Sequence, residues 1–136
     1  MPRILAIDYG KKRTGLAWTD PLQLIASGLG TVDTVNLEQE LAQRLSGNEV
    51  EAVVLGYPTR MDGSDSHVTE DVRKLADKLR KQYPAKEVHL WDERFTSQLA
   101  VQAMIDAGLK KKKRRDKKLI DQISATIILQ EFLESQ

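Results

Sequence analysis

The order of apolar patterns along the chain constrains its fold more than any other feature. Three strand-like segments come first, and helical and strand-like patterns alternate after them. Strands are predicted over residues 3–7, 14–19, 24–32, 52–56 and 88–91, and helices over 37–46, 68–83, 97–107 and 118–134. This order predicts an α/β fold with a mixed five-stranded sheet, in which a three-strand meander precedes two parallel strands and helices cover both faces.

Capping residues predict where two of the helices start. Asn36 precedes leucines spaced four residues apart, and Gln39 stands where the partner of a capping box is found. Thr96 or Ser97 can cap the helix that Gly108 ends.

The length of the chain predicts one domain. Its 136 residues are enough for a single buried core, so we expect one domain over residues 1–136. The chain has no cysteine, which excludes disulfides, thiolate zinc sites and cysteine nucleophiles. It has no run of about 20 apolar residues, and the first strand starts at Arg3 without a secretory leader before it. A cytoplasmic protein with no membrane partner is therefore expected.

Positive charge is concentrated in one segment. Residues 110–118 hold eight basic side chains and one acid, a net charge of +7, and because the whole chain carries +1 the remainder carries −6. A basic patch on an acidic domain favours a polyanion such as nucleic acid as the partner, although a solvated loop is the alternative. The basic side chains are Lys110, Lys111, Lys112, Lys113, Arg114, Arg115, Lys117 and Lys118.

Acidic residues stand at positions where surface acids are uncommon. Asp8 ends one predicted buried strand, and Asp92 and Glu93 end another. Ligand sites in open α/β sheets form beyond such strand ends. Asp121 lies on the helical face that also carries Ala125, Ile128 and Phe132, so its carboxylate needs a cation, a hydrogen-bond donor or a metal.

Each acid also has a simpler explanation. The Asp8-x-Gly10 pattern is common at strand turns, and residues 92–94 could form a surface ion-pair cluster. Asp121 could be an acid in the first turn of its helix, where the helix dipole favours negative charge, or it could pair with Lys117. Taken together on one fold, the three acidic positions (Asp8, residues 92–93 and Asp121) indicate a functional site more specifically than any one of them does alone.

Three carboxylates that converge suit phosphoryl transfer with divalent metal. Hard oxygen ligands favour Mg²⁺ or Mn²⁺, and one or two such ions could activate a water and stabilise the leaving oxygen. The lack of cysteine and of a His-x-x-x-His pair argues against a zinc hydrolase.

The motifs together resemble the YqgF family, also called RuvX, whose members are related to the RuvC resolvases. The resemblance rests on residues 7–10, 13–17, 54–58, 62–64, 92–97, 118–121, 124–125 and 128–130, which keep the family order along nearly the whole chain. Tyr57 stands where the family usually has Leu, and Ser124 where it usually has Ala. These departures concern loop shape and helix packing and leave the acidic positions intact.

The resemblance implies an RNase H-like fold and a role in maturing the 5′ end of precursor 16S ribosomal RNA. It implies that Asp8, Glu93 and Asp121 are the catalytic, metal-binding acids, with Asp92 as the alternative to Glu93. Arg94 could orient Glu93 or contact a phosphate, and Thr14 and Gly15 could let the first hairpin approach the substrate backbone. The expected nucleic-acid contacts are Lys11, Lys12, Arg13 and Arg94 together with the basic residues of 110–118.

Three functions are compatible with these patterns, and a fourth is excluded. The first is a metal-dependent endonuclease of structured RNA, acting on a ribosomal precursor particle as a monomer or weak homodimer. The second is a Holliday junction resolvase acting on branched DNA, which should be a two-fold dimer. The third is a nucleic-acid-binding scaffold without catalysis. A sugar-kinase or actin-like ATPase is excluded, because 136 residues cannot supply its second lobe.

Overall fold

The computed structural model describes residues 2–57, 68–92, 102–108 and 117–136. Within these residues the strands are β1 Arg3–Asp8, β2 Arg13–Thr19, β3 Ala26–Asp33, β4 Val50–Tyr57 and β5 Glu87–Asp92. The helices are α1 Leu37–Leu45, α2 Thr69–Gln82 and α3 Lys117–Glu134, and a 3-10 turn Thr34–Asn36 leads into α1. A short helical stretch also covers residues 102–106.

The strands form one mixed sheet in the order β3-β2-β1-β4-β5. The first three strands pair antiparallel as a meander, and β4 and β5 run parallel to β1. This is the predicted α/β arrangement, and it brings the carboxyl ends of β1, β4 and β5 to one edge of the sheet.

Two hydrophobic layers cover the two faces of the sheet. On one face α1 and α2 pack over Leu5 and Ile7 of β1, and we call this the α1–α2 face. On the other face α3 packs over Ile4 and Ala6, and we call this the α3 face. Alternate side chains of a strand point to opposite faces, so β1 contributes to both layers.

The two tryptophans pack where the sequence places them, in strands that border these layers. Trp18 packs on the α1–α2 face and Trp91 on the α3 face. The Trp91 indole also donates a 2.9 Å hydrogen bond to Glu131 of α3, which ties β5 to that helix.

Two local expectations are wrong. The third strand starts at Ala26 rather than Leu24, because Leu24 and Ile25 are 72% and 66% exposed in the turn between β2 and β3. Asn36 is the N-cap residue of α1, as predicted, but the expected side-chain capping bond is absent, because a 3-10 turn precedes the helix and leaves Asn36 outside the extended conformation of an N-cap. The predicted caps Thr96 and Ser97 lie outside the described residues.

Among the helices of the described ranges, none combines the length and the apolar character that a bilayer crossing needs.

Candidate active site

Asp8 is placed by the alternation of β1. Ile4 and Ala6 pack on the α3 face, and Asp8 is the next residue in that series, at the carboxyl end of the strand. The Asp8 carboxylate therefore belongs to the α3 face and lies at the sheet edge where β4 and β5 also end. Asp8 is half-buried.

Gly15 brings Asp8 and Asp121 together. Asp8 pairs with Gly15 across the β1–β2 ladder. A Cβ atom added to Gly15 would lie 2.1 Å from the Asp121 carbonyl oxygen and 3.1 Å from the Gln122 nitrogen. The backbone of α3 thus rests directly on β2 at the residue opposite Asp8. Only glycine allows this approach, because any side chain would push the helix away.

This contact gives Thr14 and Gly15 a role that differs from the one expected from the sequence. Thr14 and Gly15 were expected to let the first hairpin approach the substrate backbone. The structure instead places the backbone of α3 against Gly15, while Thr14 is fully buried and its hydroxyl lies 2.9 Å from that of Thr34. Both residues therefore shape the protein around the acids.

Arg13 forms an ion pair with Asp121. The Arg13 Nε atom lies 3.4 Å from Asp121 Oδ2, and the two side chains are 27% and 26% exposed. Lys117 was the alternative partner from the sequence, but its side chain lies outside the described atoms. Arg13 therefore supplies positive charge to Asp121 from β2, across the β2–α3 contact.

In the described part of the chain, two buried side-chain polar atoms have no hydrogen-bond partner, one on the residue paired with Asp121 and one on the residue a helical turn after it. They are Arg13 Nε, whose approach to Asp121 is electrostatic, and Ser124 Oγ. Ser124 is one turn after Asp121 on α3, and helical side chains lean toward the amino end, so its hydroxyl leans toward Asp121. Buried polar atoms of this kind are usually satisfied by an ordered water, which fits a hydrated site around Asp121.

Asp92 is separated from these acids by the sheet. Trp91 packs on the α3 face, so the next residue, Asp92, belongs to the α1–α2 face. Asp8 and Asp121 belong to the α3 face, and this argues against Asp92 as their partner. Glu93 and Arg94 lie outside the described residues, so their predicted roles remain predictions.

The basic residues divide into a described group and the 110–118 segment. Lys11 and Lys12 are exposed in the turn between β1 and β2, next to the end of Asp8's strand. The turn is tight, because a Cβ on Gly10 would lie 2.4 Å from the Arg13 carbonyl oxygen. Lys110, Lys111, Lys112, Lys113, Arg114 and Arg115 lie outside the described residues, and Lys117 and Lys118 are described only as the first residues of α3.

Asp8 and Asp121 fit part of a divalent-metal site. They are hard oxygen donors on one face at one sheet edge, which is the ligand chemistry that Mg²⁺ and Mn²⁺ select. Among the described residues no group of three or more candidate ligands comes together. The two described acids therefore match the expected donor set, and the third expected donor is Glu93.

Comparison with known proteins agrees with this fold and these motifs. A family model described as "RuvX: Holliday junction resolvase" matches residues 2–135. A protein of Phocaeicola vulgatus is 52% identical over 136 residues, covering 100% of this chain and 98% of that protein. A protein of Christiangramia forsetii is 53% identical over 133 residues, covering 98% of each. Both carry the name "Putative pre-16S rRNA nuclease".

A solved structure shares the fold at low sequence identity. T. thermophilus RuvC in complex with Holliday junction substrate superposes with a TM-score of 0.57 at 17% identity, over 99% of this chain and 95% of that one. This similarity establishes the RNase H-like fold, as expected from the sequence.

Proposed function

Since the chain belongs to the RuvX family, we propose that it is a divalent-metal-dependent endonuclease that cleaves precursor 16S ribosomal RNA. The observation that carries the proposal is the contact of Gly15 with the α3 backbone, which sets Asp121 beside Asp8 at the carboxyl edge of the sheet. The names of relatives that match over their full length support RNA as the substrate.

The acids hold the metal in this proposal, and Glu93 completes the set. Asp8 and Asp121 supply carboxylate oxygens from the two sides of the β1–β2–α3 contact. A bound Mg²⁺ or Mn²⁺ supplies charge stabilisation at the phosphate and activation of the attacking water. The half-buried position of both acids limits competition from solvent for their oxygens.

Arg13 has a second role in this arrangement. Its guanidinium group holds Asp121 in place through the 3.4 Å ion pair and contributes positive charge next to the site. Because Arg13 is engaged with Asp121, it acts first as a positioning residue, and contact with the substrate phosphate would require its remaining nitrogens. Lys11 and Lys12 are exposed beside Asp8 and are positioned to bind neighbouring phosphates.

Branched DNA is the second candidate substrate, favoured by the description of the family as Holliday junction resolvases. RNA is preferred, because the relatives at about half identity are named for precursor 16S rRNA, whereas the RuvC likeness at 17% identity concerns the fold.

A cleavage assay on the purified protein tests the proposal. End-labelled precursor 16S rRNA and a four-way DNA junction are each incubated with Mg²⁺, Mn²⁺ or EDTA. We expect cleavage of the RNA that requires metal and is lost in Asp8→Asn. Asp77→Asn, an exposed acid of α2 that pairs with Arg80, is the matched control and should cut normally. Cleavage of the junction alone would overturn the RNA assignment, and cleavage by Asp8→Asn would overturn the site.

A further inference from the structure

A cleft opens on the α1–α2 face next to the candidate active site. It has a volume of about 300 Å³, and we call it the Tyr9 cleft. Its lining is contributed by the end of β1, the turn before α1, and one face each of α1 and α2. The lining residues are Tyr9, Thr34, Leu37, Glu38, Asp71, Lys74, Leu75 and Lys78.

The Tyr9 cleft shares the sheet edge with Asp8. Tyr9 is the residue after Asp8, so their Cα atoms are about 3.8 Å apart. Asp8 belongs to the α3 face, whereas Tyr9 packs against the layer on the α1–α2 face. A single strand of RNA whose phosphate lies at Asp8 can therefore place a neighbouring base over the edge of the sheet and into the cleft.

Thr34 fixes the backbone around Tyr9. Its hydroxyl donates a 2.6 Å hydrogen bond to the Gly10 carbonyl, and its amide donates a 2.9 Å bond to the Lys12 carbonyl. These bonds join the turn after Tyr9 to the end of β3. The shape of the cleft thus exists before any ligand binds, which lowers the ordering cost of binding.

The lining combines an apolar surface with acceptors and cations. Leu37 and Leu75 are buried in the core beneath the cleft, and Tyr9 adds an aromatic ring. The Tyr9 ring and the Asp71 carboxylate both line the cleft. Lys74 and Lys78 stand four residues apart on α2, and Lys78 pairs with Glu38.

This chemistry suits a base better than a phosphate. Two acids and two lysines leave the lining near neutral, so a polyanion gains little from it. Unpaired RNA bases are recognised by stacking on aromatic side chains and by hydrogen bonds along their edges. A carboxylate accepts hydrogen bonds, and guanine offers two donors, a ring N–H and an amino group, on one edge.

We propose that the Tyr9 cleft binds one unpaired guanine of the substrate RNA, next to the phosphate that Asp8 faces. Tyr9 stacks on the base, Asp71 accepts from its donor edge, and Lys74 lies where it can bind the adjacent phosphate. This inference rests on the proposed function, because it names the nucleotide that the same site recognises.

Binding without metal tests the inference separately from cleavage. Fluorescein-labelled RNA hexamers of uridine with one central guanine, adenine, cytosine or uridine are titrated in EDTA, and their fluorescence anisotropy is followed. We expect the guanine hexamer to bind about tenfold more tightly than the uridine hexamer. A fully paired RNA of the same length should bind no better than the uridine hexamer, because its bases cannot enter the cleft.

Two variants and a matched control locate the preference. Asp71→Asn should lose most of the guanine preference, and Tyr9→Leu should weaken binding of the guanine hexamer about tenfold. Asp77→Asn changes an exposed acid of the same helix outside the cleft, where it pairs with Arg80, and should bind as the wild type does. Tyr9 borders the core, so circular dichroism checks the fold of Tyr9→Leu, and Asp71→Asn carries the test if that variant unfolds.

The outcomes separate this inference from the proposed function. Equal affinity for the four hexamers, or an unchanged guanine preference in Asp71→Asn, would overturn the cleft assignment even if precursor RNA is cleaved. A guanine preference that Asp71→Asn removes would support the cleft even if no RNA is cleaved, in which case the nuclease proposal alone would fail.

Discussion

Gly15→Ala is the substitution that most directly perturbs the contact between β2 and α3. The added Cβ would lie 2.1 Å from the Asp121 carbonyl oxygen, whereas ordinary van der Waals contact begins at 3.4 Å. The two backbones must therefore separate by about 1.3 Å, the difference between these distances. Both contacting groups are backbone, so no side-chain rotation can relieve the clash.

The separation should affect stability and activity to different extents. Overpacking of a well-packed contact costs about 1–3 kcal/mol, which lowers Tm by about 4–12 °C in a domain of this size. Displacement of a catalytic group by about 1 Å can reduce turnover about 100-fold. Because α3 carries Asp121, we expect a folded protein whose metal-dependent cleavage of precursor RNA is reduced about 100-fold.

Gly47→Ala is the matched control. A Cβ on Gly47 meets no atom of the described residues within 4 Å, so this variant should retain both Tm and activity. Thermal melts by circular dichroism and initial cleavage rates at a temperature below both midpoints measure the two effects. Wild-type activity in Gly15→Ala would refute the argument that this contact positions Asp121.

Three further predictions follow from the contacts around the site and the surface. Arg13→Gln removes a cation from Asp121, so Mn²⁺ affinity measured by calorimetry should rise, by about fivefold at most; a loss of affinity would show that the positioning of Asp121 by Arg13 outweighs the effect of its charge. Asp20 accepts backbone hydrogen bonds that hold the β2–β3 turn, the strongest from Ile25, and they lower its pKa in the folded protein. The stabilisation that Asp20 gives the folded protein is therefore complete above the unfolded pKa near 3.8, and it is lost as pH falls through the lower folded pKa. The Tm difference between wild type and Asp20→Asn should accordingly shrink below pH 3.8, and a pH-independent difference would exclude this cause. Reversal of Lys112, Lys113, Arg114 and Arg115 to Glu should weaken binding of all RNAs alike and flatten its salt dependence, and an unchanged salt slope would show that these residues do not bind phosphates.

The composition of the sheet, a three-strand meander followed by two parallel strands, could be predicted from the sequence because it follows from local patterns. Apolar runs such as residues 3–7 and 52–56 mark strands buried on both faces, and the alternation after them requires parallel crossovers. The edge strand β3 was placed less well, since Leu24 and Ile25 have strand-like side chains but lie exposed in a turn that Asp20 organises. Strand propensity does not reveal a turn that is held by backbone hydrogen bonds to the side chain of a preceding aspartate.

The position of Asp121 on an inward-facing helical pattern was visible in the sequence, and Ala125, Ile128 and Phe132 of that pattern are buried. The Gly15 contact and the Arg13–Asp121 pair were not, because they join residues more than 100 positions apart. A glycine in a strand signals a close approach of some kind, but the sequence does not identify the approaching group. The Tyr9 cleft was missed for the same reason, since its lining comes from three separate segments of the chain.

Direct metal titration tests the central claim, that Asp8 and Asp121 together hold a divalent metal. Mn²⁺ binding is measured by calorimetry and by electron paramagnetic resonance for wild type, Asp8→Asn and Asp121→Asn, with Asp106→Asn as a control on an exposed acid bonded to Gln102. We predict saturable binding by the wild type and the control, and a loss of about tenfold or more in affinity in each active-site variant, with the fold preserved. Wild-type affinity in both Asp8→Asn and Asp121→Asn would contradict the claim.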